Sequence, residues 1–126
     1  MNRRLLLIED NEQNRYLTTF LLQARGWEVV SAVDGPTGLT LADTMTPPPV
    51  LILLDIQLPG MDGYEVAEQL RANPALAGIP VIAVTSYAMP GDRERCLASG
   101  CHGYLEKPID PRTFAADVGR FIAEKS

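Results

Sequence analysis

The sequence predicts an α/β fold, in which a parallel five-stranded sheet lies between two layers of helices. Short apolar runs alternate with amphipathic stretches five times along the 126 residues. The runs at 5–8 and 50–54 are continuously apolar, which is typical of strands buried on both faces. Parallel strands need crossover connections, and the intervening helices supply them. Right-handed crossovers and five strands favour the strand order 2-1-3-4-5.

The first strand, at 5–8, is followed closely by an amphipathic helix. Residues 11–24 have apolar side chains at helical spacing, and Gly26 is suited to end the helix. One face of this helix should therefore pack on the sheet. The residues expected on that face are Leu17, Phe20, Leu21 and Ala24.

The next two strands differ in hydropathy. Residues 27–32 mix apolar and polar side chains, which predicts an edge strand, whereas the run at 50–54 is the most hydrophobic and should lie at the centre. Between them, Asp34-Gly35-Pro36 opens a second helix, because proline suits the first helical turn. The prolines at 47–49 end that helix.

The second half of the chain repeats the alternation. A third helix ends before Asn73-Pro74, and strands are predicted at 80–84 and 103–105, with a weakly patterned helix at 91–99 between them. Asp110-Pro111 combines a capping residue with a first-turn proline and predicts the start of the last helix. The core face of that helix should consist of Phe114, Val118, Phe121 and Ile122.

Composition argues against several classes of protein. The chain has 11 basic and 16 acidic side chains and a net charge of −5, which is unsuited to gripping a nucleic-acid backbone. With 46% hydrophobic residues, it is expected to fold as one domain over residues 1–126. The longest apolar run, at 50–54, is far shorter than the roughly 20 residues that cross a bilayer, and Glu9-Asp10 interrupts a signal-like start. We therefore expect a cytoplasmic protein.

Cysteine and histidine offer little chemistry in this chain. Cys96 and Cys101 lack a CxxC spacing and a second ligand pair, so we expect two reduced thiols rather than a metal site or a disulfide. The single histidine, His102, lies on the approach to the fifth strand, where we expect a structural role.

Polar and charged residues follow four of the five predicted strands. Ligands of such sheets bind outside the carboxyl ends of the strands, at the point where the strand order reverses. Carboxylates, hydroxyls and an ammonium group are therefore expected at one edge of the sheet. In chain order, these residues are Glu9-Asp10, Asp55, Thr85-Ser86 and Glu106-Lys107.

Each of these residues alone could have an ordinary structural role. Asp10 could cap the first helix, Asp55 could lie in a turn, and Lys107 could be a solvated surface lysine. Taken together, carboxylates at one end of a buried sheet raise one another's pKa unless a cation compensates. Hard oxygen ligands favour Mg²⁺ over zinc, in a site shared with phosphate oxygens. The lysine and the hydroxyls then suit a transferred phosphoryl group.

Over nearly its whole length the chain resembles the receiver domains of two-component response regulators, the CheY-like family. The motifs that carry the resemblance are the acidic pair Glu9-Asp10, the loop at 55–63, the hydroxyl position Thr85-Ser86 and the pair Lys107-Pro108. The residues at 8–14 and 85–92 are most similar to stand-alone or relay receivers. The resemblance implies a flavodoxin-like (βα)5 sandwich.

The resemblance also implies a role for each residue at this edge. Asp55 would be the nucleophile that accepts a phosphoryl group, with Mg²⁺ as the cofactor. Lys107 would pair with Asp55 and then with a phosphoryl oxygen, Thr85 would donate a hydrogen bond to another, and the peptide bond before Pro108 would be cis. The implied metal ligands are Glu9 (partly through water), Asp10, Asp55 and the backbone carbonyl of Gln57.

The resemblance also implies that Thr85 and Tyr104 carry the conformational change that follows phosphorylation. Thr85 moving toward the phosphate would vacate space for the ring of Tyr104, and the surface of the fourth helix, fifth strand and fifth helix would change for partners. The implied partners are a sensor histidine kinase or a histidine phosphotransfer protein as donor and a downstream protein as target, without nucleic acid or membrane. The chain would be a monomer or a weak phosphorylation-dependent dimer.

Three alternatives differ in their chemistry. A haloacid-dehalogenase-like phosphatase would carry an aspartate at position 57, whereas Gln57 offers no carboxyl proton, so we expect a persistent acyl phosphate and slow self-catalysed dephosphorylation rather than a classical enzyme. Gln57 and Tyr87 would flank the path of the attacking water. A flavodoxin would need a hydroxyl- and glycine-rich loop at 9–12. A pseudo-receiver, which binds partners without phosphate, would normally lack Asp55, Lys107 or the acidic pair, and all are present.

Overall fold

Five parallel strands form one sheet in the computed structural model, which describes residues 3–85, 91–107 and 109–125, with side chains up to residue 121. The strands are β1 (Arg4–Ile8), β2 (Glu28–Ala32), β3 (Leu51–Asp55), β4 (Val81–Thr85) and β5 (Gly103–Glu106). Their order is β2-β1-β3-β4-β5, which confirms the predicted topology. As predicted, β2 lies at an edge and β3 at the centre.

The strands alternate with five helices. These are α1 (Glu12–Gln23), α2 (Gly35–Thr44), α3 (Gly63–Ala72), α4 (Asp92–Ala98) and α5 (Phe114–Lys125). Side chains at the N-caps of α1, α2 and α3 accept a backbone N–H from the first turn, and the capping residues are Asn11, Asp34 and Asp62. In the part of the chain that the structure describes, none of the helices is long and apolar enough to cross a membrane.

Two hydrophobic cores cover the two faces of the sheet. Alternate residues of β1 divide between them, with Leu6 and Ile8 on one side and Leu5 and Leu7 on the other, as the period of two in a strand requires. The first core takes in buried residues of α2, α3 and α4, and the second takes in residues of α1 and α5. Because helices cover both faces, the strands carry nearly continuous apolar runs.

The predicted core face of α1 is wrong in part. Phe20 is 59% exposed and Ala24 is exposed, while Leu17 and Leu21 are only half-buried. The residues of α1 that are fully covered are Thr18 and Leu22. Thr18 counts as polar in a hydropathy pattern, although its methyl group allows it to pack in a core, so the buried face is rotated from the predicted one.

Several element boundaries also differ from the prediction. β3 and β4 each begin and end one residue later than predicted, so Asp55 and Thr85 are the last residues of their strands. α5 begins at Phe114 rather than after Pro111, because Asp110 organises a separate turn by accepting the backbone N–H of Arg112 at 2.9 Å. In α5 itself, Phe114 and Val118 are buried as predicted, Phe121 is half-buried against the same core, and the side chain of Ile122 lies outside the described residues.

The cysteines and the histidine have the expected structural surroundings. Cys96 and Cys101 are both buried free thiols. Nδ1 of His102 accepts the backbone N–H of Val81 at 3.0 Å, and the backbone N–H of His102 donates to the Val81 carbonyl at 2.7 Å. Since Val81 begins β4, the histidine lies at the end of the sheet opposite to Thr85.

Candidate functional site

Three carboxylates converge at the carboxyl edge of the sheet. Glu9 and Asp10 follow β1, and Asp55 ends the neighbouring strand β3. Each offers one oxygen, and these three atoms lie within 4.8 Å of one another. Glu9 is 4% exposed and Asp55 is 3% exposed, whereas Asp10 faces solvent. The predicted convergence of these acidic residues is therefore present in the structure.

Lys107 supplies the positive charge among these carboxylates. Its Nζ lies 3.3 Å from Asp55 Oδ2, which is the predicted pairing, and it donates to Glu9 Oε1 at 2.9 Å. The contact with Glu9 was not predicted from the sequence. The backbone of the lysine is held by the adjacent strand, because its N–H donates to the Thr85 carbonyl at 2.8 Å.

The loop after β3 fixes the position of Asp55. Its Oδ1 accepts the backbone N–H of Gln57 at 2.9 Å, and Gly63 donates its N–H to the carbonyl of Ile56 at 3.0 Å. A Cβ on Gly63 would lie 2.5 Å from the Cα of Ile56 and 2.7 Å from the carbonyl oxygen of Asp55. Only glycine therefore allows α3 to approach the end of β3 this closely.

A second set of hydrogen bonds fixes the acidic loop after β1. The N–H of Glu9 donates to the Ala32 carbonyl at 3.0 Å, and the N–H of Asn11 donates to Glu9 Oε2 at 3.2 Å. Nη1 of Arg15 donates to the carbonyls of both Glu9 and Asp10. Asn11, not Asp10, caps α1. Sequence reasoning missed Asn11 and Arg15, although Asn11 has the signal of a capping residue before a helix.

The electrostatics of the cluster are dominated by burial and close contact. Burial, together with the hydrogen bond with Asp55, raises the pKa of Glu9 to about 7 although Lys107 opposes the shift. Burial lowers the pKa of Lys107, but its hydrogen bond to Glu9 and the charge of Asp55 outweigh that effect and raise it. Three carboxylates with one ammonium group leave excess negative charge. Their all-oxygen donor set fits a hard divalent cation such as Mg²⁺.

The carboxylates open into a cleft of about 470 Å³. Side chains from the ends of β1, β3 and β5 and from the start of α1 form its walls. The lining residues are Glu9, Asp10, Asn11, Asn14, Asp55, Gln57 and Lys107. An anionic group that enters this cleft meets the Lys107 ammonium beside the carboxylates, an arrangement suited to a phosphoryl group that shares a metal ion with them.

The predicted switch residues lie on β4, which is next to the strand of Asp55, and on β5, the strand beyond it. Asp55 pairs with Val84, one residue before Thr85, and Thr85 is buried to 1% exposure. Tyr104 lies in β5 and packs, half-buried, against the core on the side of α4. Burial raises the pKa of its hydroxyl, and the charge of Asp92 raises it further. Ser86, Tyr87 and the peptide bond before Pro108 lie outside the described residues, so the predictions made for them stay predictions.

Comparison with known proteins shows that the chain resembles one protein family over almost its whole length. The family model for the response regulator receiver domain matches residues 5–118. The polar-differentiation response regulators DivK of Brucella ovis and Brucella abortus are each 40% identical to the chain over 124 residues. These matches cover 98% of this chain and 99% of each relative.

Solved structures agree with the sequence relatives. A CheY-like receiver domain protein from Methanospirillum hungatei JF-1 is 28% identical, with a TM-score of 0.88 over 99% of this chain and 97% of that one. The receiver domain of sensor histidine kinase PA1611 from Pseudomonas aeruginosa PAO1, with a magnesium ion coordinated in its active site cleft, is 32% identical. Its TM-score is 0.87, over 98% of this chain and 99% of that one. The chain therefore belongs to the response regulator receiver domain family, whose general function is phosphorylation-dependent signalling.

Proposed function

We propose that this chain is a phosphorylation-activated switch of a two-component or phosphorelay system, with Asp55 as the phosphoryl acceptor. The observation that carries the proposal is the setting of Asp55, buried at the end of the central strand with Lys107 3.3 Å from one of its oxygens. Glu9 and Asp10 place further carboxylate oxygens within 4.8 Å. The 40% identity to the response regulator DivK over 98% of the chain supports the proposal.

The phosphoryl donor in this proposal is a phosphohistidine on a sensor kinase or a phosphotransfer protein. A carboxylate oxygen of Asp55 attacks the phosphorus, a P–O bond forms, and the P–N bond to the donor imidazole breaks. The electron pair of that bond returns to the imidazole nitrogen, and Asp55 is left as an acyl phosphate. Lys107 then pairs with one phosphoryl oxygen, and the hydroxyl of Thr85 donates to another.

Mg²⁺ is the proposed cofactor of this transfer. The ligands would be the carboxylates of Asp10 and Asp55, the backbone carbonyl of Gln57 and, partly through water, Glu9. When bound, Mg²⁺ neutralises negative charge that grows on the phosphoryl oxygens as two anions approach each other. The all-oxygen cluster supports this choice, as does the magnesium described in the cleft of the related PA1611 receiver domain.

Incubation with a small acyl phosphate and Mg²⁺ tests the acceptor directly. We expect one acid-stable, base-labile phosphoryl group on the wild type, none on Asp55→Asn, and normal incorporation on Asp43→Asn. Asp43 is a matched control because it is an exposed aspartate of α2 that accepts a hydrogen bond from Asn73 and does not line the cleft. Binding of beryllofluoride should show the same dependence on Asp55.

Two other outcomes would favour other functions. Failure of every variant to take phosphate or beryllofluoride would favour the pseudo-receiver, which works by protein contact alone. Rapid release of phosphate from small monoesters would favour a hydrolase, against the expectation from Gln57, which has no carboxyl proton to give to a leaving group.

The proposed output surface consists of α4, β5 and α5. Phosphorylation moves Thr85 toward the phosphate and lets the ring of Tyr104 take the space that it leaves. Leu97 of α4 is an exposed apolar side chain on this surface, and Phe20 of α1 is a matched exposed side chain outside it. Leu97→Ser should weaken binding of the downstream target at least fivefold, while Phe20→Ser should not. An equal loss in both variants would contradict the assignment of the surface.

A further inference from the structure

We infer that Arg15 is a positioning residue for the metal-binding carboxylates, acting through the backbone of the acidic loop; this rests on the magnesium site proposed above. Arg15 lies beside the cleft and is not among the residues that line it. It belongs to the first half of α1, where it faces the loop that joins β1 to the helix.

The contacts of Arg15 are directed at consecutive carbonyl groups. Its Nη1 donates to the carbonyl of Glu9 at 3.1 Å and to the carbonyl of Asp10 at 3.0 Å. One terminal NH₂ group of a guanidinium has two hydrogens, which is enough to donate to both carbonyls. Two consecutive peptide planes are thereby fixed, and with them the direction in which the side chain of Asp10 leaves the backbone.

The three carboxylates differ in how their orientation is fixed. The carboxylate of Glu9 accepts from Lys107 and from the N–H of Asn11, and the carboxylate of Asp55 accepts from Gln57 and lies beside Lys107. Asp10 is exposed and is held through its backbone carbonyl by Arg15. The hydrogen bond from Arg15 to the Asp10 carbonyl therefore orients the one carboxylate of the three that is not held in place by burial.

The helical position of Arg15 is unfavourable for a cation. Arg15 is the fourth residue of α1, and the amino end of a helix carries a partial positive charge that favours acidic side chains. A cation at this end costs stability unless its contacts offset the repulsion. The two carbonyl bonds provide that offset, and such local exceptions are expected next to functional sites.

Two opposite effects on Mg²⁺ affinity distinguish positioning from charge. If the guanidinium acted mainly as a charge, it would repel the incoming cation, and its removal would tighten Mg²⁺ binding. If it acts by orienting Asp10, its removal will weaken binding. Because the half-buried guanidinium is already engaged with two backbone carbonyls, we expect positioning to dominate. Loss of a group that orients a metal ligand typically costs about tenfold in affinity.

The test is isothermal titration of the unphosphorylated full chain with MgCl₂ at 0.15 M salt. Arg15→Gln removes the charge, and its amide is two bonds shorter and should no longer reach the two carbonyls, so we expect its dissociation constant for Mg²⁺ to rise about tenfold. Arg15→Lys should recover most of the affinity, because an ammonium group can also donate to two carbonyls. Arg93→Gln removes an equal charge from the exposed side of α4 and should bind as the wild type does.

Hydrogen exchange of the Asn11 amide, measured without metal, gives a second readout. This amide donates to Glu9 Oε2, so it should exchange faster in Arg15→Gln while amides of the central strands keep their protection. Unchanged or tighter Mg²⁺ binding by Arg15→Gln would overturn the inference, as would a failure of Arg15→Lys to recover any affinity. If the wild type bound no Mg²⁺ at all, the proposed metal site itself would be wrong, and the two failures are therefore distinguishable.

Discussion

Gly63 lies where α3 approaches the end of β3, and its missing side chain is what permits the contact. A Cβ there would overlap the backbone of Ile56 and the carbonyl of Asp55, which cannot move aside as a flexible side chain would. The glycine therefore links the position of a helix to the position of the proposed phosphoryl acceptor. The same N–H that begins α3 also donates to the Ile56 carbonyl.

Gly63→Ala should lower the free energy of unfolding by about 3 kcal/mol, because overpacking against backbone cannot relax locally. It should also slow phosphorylation, since Asp55 must shift with its carbonyl. Gly78→Ala is the control, as its Cβ would meet nothing within 4 Å, and its effect should stay within about 0.5 kcal/mol. Urea unfolding of the two variants gives the comparison. Equal stabilities would show that the loop adapts.

Asp34 gives a pH-dependent contribution to stability at the cap of α2. Hydrogen bonds from the hydroxyl and the backbone N–H of Thr37, the latter at 2.8 Å, lower the pKa of Asp34 below its ordinary value of 3.8. A lowered pKa in the folded state means that the contribution is present above pH 3.8. It is lost as the pH falls through the lower, folded-state pKa.

Asp34→Asn keeps a side-chain oxygen that can cap the helix but does not titrate. We therefore expect the wild type to be more stable than Asp34→Asn near pH 6, with the difference shrinking as the pH falls below 3.8. Thermal unfolding of both proteins between pH 6 and 2.5 measures this difference. A difference that stays constant with pH would contradict the assignment of the shift.

At the scale of elements, α1 shows two faces that hydropathy alone does not separate. Leu22 is fully buried in the core under the sheet, whereas Phe20 is largely exposed and stacks on Tyr16, with ring centroids 6.5 Å apart. The exposed aromatic pair belongs to the outer surface of the helix. Burial, rather than side-chain hydrophobicity, decides which of these residues stabilise the fold.

Leu22→Ala should cost about 3 kcal/mol of unfolding free energy, because a cavity is left in the core. Phe20→Ser should change it by no more than about 0.5 kcal/mol, as for other exposed positions. Chemical denaturation of both variants checks the pair. A large loss of unfolding free energy in Phe20→Ser would show instead that Phe20 belongs to the core face of α1, as the hydropathy pattern predicted.

The helix α4 shows why a sequence pattern predicts some elements better than others. The hydropathy pattern of α4 is weak, and contacts from α3 help to hold the helix. The Tyr64 hydroxyl donates to Asp92 at 3.3 Å, the guanidinium of Arg95 lies 3.9 Å over the Tyr64 ring, and Arg71 donates to the Ala98 carbonyl at 2.7 Å. Side-chain contacts of this kind depend on the packed geometry, so no local pattern indicates them.

At the scale of the whole molecule, topology explains how much of the site was predictable. The apolar runs determine where strands end, and parallel strands bring those ends to one edge, so the meeting of Glu9, Asp10, Asp55 and Lys107 followed from the sequence. The shared contact of Lys107 with Glu9 did not follow, because it depends on which carboxylate the ammonium group reaches. Arg15 was missed because its donors meet backbone atoms, which carry no sequence signal.

The proposed switch links the acceptor to an edge of the sheet about two strands away. Asp55 ends the central strand, Thr85 ends β4, and Tyr104 lies in the edge strand β5. If the hydroxyl of Thr85 carries the signal, removing it should separate phosphorylation from its structural effect. A bias of roughly 1–3 kcal/mol between two states is enough for such a switch.

Thr85→Val keeps the shape of the side chain but loses the hydroxyl donor, whereas Thr85→Ser keeps the donor. Both variants should bind beryllofluoride with Mg²⁺ at Asp55. Hydrogen exchange in α4 and β5 should change on binding in the wild type and in Thr85→Ser, and should change by less than half as much in Thr85→Val. An undiminished change in Thr85→Val would mean that the signal leaves Asp55 by a route that does not use this hydroxyl.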